Sequence, residues 1–175
     1  SIPSLKRTMK KKEKFGGVGF GYGDVALSDD KLRYAAKDIQ NQFDMGKTCL
    51  KTVISFDEEF LREHGIIDED FTCKRKGDYR GHIDQMKLRY AIMNGLDKMS
   101  RNYDNLQYIG VIQVDTMHVH CHLCMVDKGR GNLMKDGTQR GKLLSNDKKL
   151  LRRGIDTYLD QKQQVKMMAS SVSYD

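Results

Sequence analysis

The chain has no tryptophan and a single proline, and none of its apolar runs approaches the roughly eighteen residues needed to cross a bilayer. Membrane insertion is excluded on that count. Its four cysteines, Cys49, Cys73, Cys121 and Cys124, stand in a sequence without a secretory h-region, so they are expected to be reduced thiols in the cytoplasm rather than a disulfide framework. No internal repeat or low-complexity tract stands out. What is abundant is charge of one sign: 31 Lys and Arg against 24 Asp and Glu leave a net +7, which favours a polyanionic partner such as nucleic acid. A length of 175 residues and a mean hydropathy of -0.66 fit one soluble, mostly regular domain spanning 1–175.

The first 24 residues are expected to form a basic and Gly-rich arm, with the cationic run from Lys6 to Lys14 followed by glycines from Gly16 to Gly23. Ser28 precedes Leu32, Ala35, Ala36, Ile39 and Phe43 at helical spacing, and Gly46 ends that pattern. Thr52, Val53 and Ile54 read as a strand, FDEEFLREHG as a short helix stopped at Gly65, and residues 66–82 as polar loop. From Ile83, an apolar stripe of Met86, Tyr90, Met93, Leu96 and Met99 predicts a long helix ending near Arg101. Two apolar runs, LQYIGVIQV and VHCHLCMV, then predict an antiparallel hairpin at the centre of a sheet. A glycine- and cation-rich loop, DKGRGNLMKDGTQRGK, leads to a helix with Ser145 as its expected N-cap and Leu150, Leu151, Ile155, Tyr158 and Leu159 on its stripe; residues 170–175 read as a polar tail. The predicted architecture is α+β: a central antiparallel sheet, helices packed mainly on one face, and metal and DNA on the other.

Three of the five histidines, His118, His120 and His122, alternate along the second hairpin strand, and alternate residues of a strand point to one face. Neutral imidazoles held side by side on a rigid strand are ligands for Zn, Mn, Ni and similar ions. A turn centred between Thr116 and Met117 would set Gln113 across from His120 and Val111 across from His122. Gln113 therefore competes with His118 as third ligand, and its amide oxygen, a harder donor than imidazole, shifts the expected ion towards Mn2+ or Mg2+ with Zn2+ or Ni2+ as alternatives. Cys121 and Cys124 form a CxxC, but on a strand they face opposite sides, and Cys121 opposes the histidines.

The segment IQVDTMHVHCHLCMVD resembles the third motif of HUH endonucleases, in which a first ligand is followed seven residues later by a His-x-His pair; Gln113, His120 and His122 occupy the matching positions. Most relaxases have histidine at the first. TVISFDEEFLREHGI resembles the corresponding segment of plasmid relaxases of the MobL and MobP branches from Gram-positive hosts, and the likeness covers roughly residues 25–160. The resemblance implies a conjugative relaxase: a tyrosine attacks one DNA strand at the transfer origin of a plasmid, assisted by a divalent metal ion, leaving a 5′-phosphotyrosyl link and a free 3′-hydroxyl. It also implies single-stranded and supercoiled DNA, relaxosome accessory proteins and a coupling protein as partners. Tyr22, the only tyrosine before the first predicted helix, is the nucleophile by position, with Tyr34 as fallback and the possibility that the nucleophile lies outside this chain. Lys10, Lys11, Lys12, Lys128, Arg130, Lys135, Arg140 and Lys142 are the candidate DNA contacts. A chain this short reads as the N-terminal domain of a longer relaxase. Two other functions fit the same residues: a rolling-circle replication initiator, and a non-catalytic DNA-binding module in which the metal only holds the fold.

Overall fold

A computed structural model of the chain describes residues 18–131 and 133–172, with side chains up to residue 161. Residues 1–17 of the expected arm, with Lys10, Lys11 and Lys12, lie outside the described residues, as do 173–175 of the expected tail. The elements, in chain order, are β1 (Gly19–Gly21), α1 (Asp29–Asp44), β2 (Cys49–Phe56), α2 (Glu58–Glu63), α3 (Gln85–Ser100), β3 (Leu106–Gln113), β4 (Val119–Asp127) and α4 (Ser145–Val172). The strands form one antiparallel sheet in the order β1-β3-β4-β2, giving the α+β architecture with a central hairpin. No helix among the described residues is long and apolar enough to cross a membrane.

The hairpin has the register its sequence dictates. Gln113 pairs with His120, Val111 with His122 and Ile109 with Cys124, so the β3–β4 ladder is centred between Thr116 and Met117. One face of β4 carries Val119, Cys121, Leu123 and Met125, all buried against the apolar sides of α3 and α4. The other carries His120, His122 and Cys124, with His118 just ahead of the strand. The alternation separates core from site on a single strand.

Local chemistry accounts for the helix ends. Ser28 caps α1 by accepting from the Lys31 N–H at 3.2 Å, and Asp84 caps α3 by accepting from Lys87 N–H at 3.1 Å, which starts that helix two residues later than the apolar stripe implies. At α4 the capping oxygen belongs not to Ser145 but to Asp147, which reaches back to the Leu144 N–H at 3.0 Å and also accepts from the Tyr103 hydroxyl at 2.8 Å. The backbone of α4 continues to Val172, through residues expected to be tail.

Three expectations are corrected. Residues 19–21, placed in the basic and Gly-rich arm, are an edge strand, and Phe20 at its centre is fully buried over Gly110. The glycines serve close packing: a Cβ on Gly21 would stand 1.9 Å from the Tyr108 carbonyl oxygen. On α3 the buried stripe is Leu88, Ala91, Ile92, Gly95, Leu96 and Met99, whereas Met86 and Tyr90 are exposed. The large side chains pointed to the wrong face because Gly95 and Ala91, the residues that let α4 approach, carry little hydrophobic signal. Phe43, placed on the packing face of α1, is also exposed.

Candidate functional site

The histidine face of the sheet is half open. Along β4 it runs His120, His122, Cys124 and Val126, and His118 before the strand and Lys128 after it continue the alternation. Helix α1 covers the far half, burying Val126 and setting Ala36 and Ile39 over a trough floored by Val53, Ile109, Val111 and Cys124. His122 stands at the mouth of that trough. His118 and His122 are exposed and His120 half-buried, so the imidazoles are open to a polymer laid across the sheet.

Neighbouring rings are spaced as a ladder, with centroids 6.1 Å apart for His118 and His120 and 6.4 Å for His120 and His122. The Gln113 amide oxygen lies 2.7 Å from His122 Nε2. That contact is diagonal across the β3–β4 ladder, since the direct partner of Gln113 is His120. Gln113 thus touches one imidazole and is the ladder partner of the other, and one amide oxygen with two ring nitrogens is a mixed donor set open to Mn2+. Among the described residues no three His, Cys, Asp or Glu side chains converge on a point, so a third donor from this face would be the Gln113 amide. Cys121 is buried in the core with its thiol pushed up to about 12 by burial, which leaves it out of any site on the histidine face.

Residues 3–175 match the family of MobL relaxases. The chain belongs to that family. Neither a curated protein nor a solved structure matches it. A MobL relaxase is a DNA-nicking enzyme of conjugation and plasmid mobilisation, and DNA at a transfer origin is its expected partner.

The relaxase places Tyr22 on the first central position of a tight turn after β1, with φ +51°, followed by Gly23 at φ +80°; Gly21 and Asp24 exchange both backbone hydrogen bonds around it. Positive φ at both positions is the two-residue hairpin geometry. The turn sends the phenol across the sheet under α1, where its hydroxyl donates to Asp38 Oδ2 at 2.8 Å, and Lys128 Nζ donates to the same oxygen at 2.9 Å. Burial raises the Tyr22 pKa well above the ordinary value for a phenol, and the Asp38 hydrogen bond and charge raise it further. At Asp38 burial acts upward, but the hydrogen bonds from Lys128 and Tyr22 outweigh it and hold the carboxyl below the usual range. No signal in the sequence links these three residues, which are 16 and 90 positions apart. Tyr34, the fallback, is 67% exposed on α1, one turn before Asp38.

The proposed DNA contacts divide. Lys128 is engaged with Asp38. Arg130, Lys135, Arg140 and Lys142 are exposed on the 128–142 loop. Side-chain acceptors hold that loop: exposed Asp104 takes the N–H of Arg130 at 2.8 Å, buried Asp127 takes that of Gly129 at 2.9 Å, and the half-buried Gln139 side chain accepts from Thr48 N–H at 2.8 Å. Lys47 hydrogen-bonds the Gly129 carbonyl. The loop leaves the end of β4 remote from the turn, five positions beyond His122, so about 17 Å of strand separates it from the nearest histidine.

Proposed function

We propose that this relaxase nicks single-stranded DNA at a plasmid transfer origin by metal-assisted transesterification on the histidine face of the sheet. The observation that carries the reading is the Gln113 amide oxygen at 2.7 Å from His122 Nε2, on the face shared with His120, in a chain of the relaxase family. Gln113, His120 and His122 would hold the ion, with His118 beside them. When bound, a divalent ion, Mn2+ or Mg2+ before Zn2+ or Ni2+, supplies charge neutralisation at the scissile phosphate.

Tyr22 is the nucleophile in this reading and Asp38 takes its proton. A phenol with a raised pKa is scarcely ionised at neutral pH, so it attacks only if a base in contact removes the proton as the new bond forms. Asp38 makes that contact, and Lys128 keeps its carboxylate ionised. The Tyr22 oxygen–phosphorus bond forms as the phosphorus–O3′ bond breaks, and the released oxygen takes a proton from solvent to leave a 3′-hydroxyl. One phosphodiester replaces another, so the energy needed for religation is retained in the 5′-phosphotyrosyl link. Relaxosome accessory proteins and a coupling protein complete the cytoplasmic assembly in this reading.

The test is incubation with a randomised single-stranded DNA pool and Mn2+ or Mg2+, followed by a denaturing gel, beside Tyr22→Phe and His120→Ala. An adduct lost in both variants supports the reading. An adduct that survives Tyr22→Phe moves the nucleophile elsewhere, and one that survives His120→Ala removes the histidine face from the chemistry.

A further inference from the structure

The sheet has two ends, and they are finished differently. At one end stands β1, three residues long. At the other stands β2, eight residues long, with β4 on its inner side and, among the described residues, no strand or backbone hydrogen bond on its outer side. Alternate residues of an antiparallel strand turn N–H and C=O outward, so β2 offers a row of unfilled donors and acceptors. Beside that row, between β2 and α4, runs a groove floored by Ile54, Phe60, Leu143, Leu151 and Ile155. On the opposite face the edge exposes Val53, which is 54% accessible. Apolar surface flanks the open edge on both faces of the sheet.

The rim of the groove is charged, and unevenly. Lys148, Lys149 and Arg152 line one stretch, and Asp57 and Asp156 another. Helix α4 begins beside Tyr103, next to the end of the sheet where Cys49 pairs with Val126, so within the stretch of β2 that lines the groove the cations stand towards Thr52. Asp57 directly follows Phe56 and marks the other end.

We propose that the outer edge of β2 is a docking site for an extended peptide segment of a partner protein, which adds to the sheet as a fifth strand. The segment is acidic where it meets Lys148, Lys149 and Arg152 and β-branched where alternate side chains face Ile54 and Leu151. Backbone pairing gives such a strand its affinity and the side-chain positions give it selectivity. A DNA backbone is the poorer occupant: it has no donors for the outward carbonyls, no use for an apolar floor, and meets Asp57 and Asp156 with like charge. The cationic run from Lys6 to Lys14 of the same chain has the wrong sign for the Lys148 end. The occupant would lie beside Val53 and Ser55, whose ladder partners are His122 and His120, and so within two strand spacings, about 10 Å, of the histidine face.

The site is tested by binding alone, without reference to nicking. A displayed library of random decapeptides is selected on the folded protein, and an enriched peptide is synthesised plain and with N-methyl groups on each alternating set of amides. The expected peptide combines acidic with β-branched residues and slows hydrogen exchange in residues 50–56. It loses affinity at least tenfold when one alternating set is methylated but not the other, and weakens at least tenfold against the Lys148→Glu, Lys149→Glu, Arg152→Glu protein. The proposal is overturned if no peptide is enriched, if protection falls elsewhere, if methylation of neither set weakens binding or of both sets weakens it alike, or if oligothymidine displaces the peptide and protects the same amides.

Discussion

A phenol hydrogen-bonded to a carboxylate gains a protonated state it is reluctant to leave, and Tyr22 has both burial and Asp38 acting in that direction. Replacing Asp38 by Asn removes the charge and leaves the burial. The Tyr22 ionisation, read as the alkaline absorbance difference between each protein and its Tyr22→Phe counterpart, should therefore shift down towards 10 in Asp38→Asn without reaching it. An unchanged titration would mean that burial alone sets the pKa, and Asp38 would lose its role as proton acceptor. The sign for stability follows from linkage. A phenol whose folded pKa lies above its unfolded value contributes stability that is whole below about pH 10 and is lost as pH rises from there towards the folded pKa. Tyr22→Phe should flatten the alkaline limb of the stability curve, while Tyr108, pushed up to about 12 by burial, keeps part of the decline.

Between elements, the decisive contact is backbone on backbone. Helices α3 and α4 cross where Gly95 meets Gly154: a Cβ on Gly154 would stand 2.4 Å from the Gly95 Cα, and Asn94 Nδ2 donates to the Gly154 carbonyl at 2.7 Å. Gly154→Ala should cost about 3 kcal/mol in urea unfolding, because neither backbone can move without opening the core beneath it. Gly137→Ala, in the 128–142 loop with open space around the new methyl group, should cost only about 1 kcal/mol from its positive φ of +85°. Equal losses would mean that the helix crossing is looser than this geometry. In the same loop, Arg140 and Lys142 are free to meet phosphate, and each alanine variant should lower the salt dependence of single-stranded DNA binding by about 0.7 in the log–log slope. An unchanged slope would place the DNA on another path from the histidines.

For the molecule as a whole, the core and the histidine face lie on opposite sides of the sheet. Cys121, Leu123 and Met125 pack against α3 and α4 without any part of the histidine row, so chelation should leave the domain folded. Mn2+ at 100 times its dissociation constant should add about 2.7 kcal/mol, raising Tm by roughly 5–10 °C over EDTA. Unfolding in EDTA would instead describe a module built around its ion. Much of this arrangement was legible from residue spacing. The period of two along VHCHLCMV separates histidines from core, and the two hairpin runs fix the register that sets Gln113 against His120. Even β1 had a signal in the alternation of Val18, Phe20 and Tyr22 with glycine, hidden because glycines read as loop. Local order of this kind is written in neighbouring residues, since strand alternation, helix caps and turn centres depend only on bonds a few positions away. The Tyr22–Asp38–Lys128 cluster, the Gly95–Gly154 crossing and the open edge of β2 depend on which distant surfaces meet. Packing of the whole chain decided those, because closeness in space between residues 16 to 90 positions apart leaves no mark on the spacing of either.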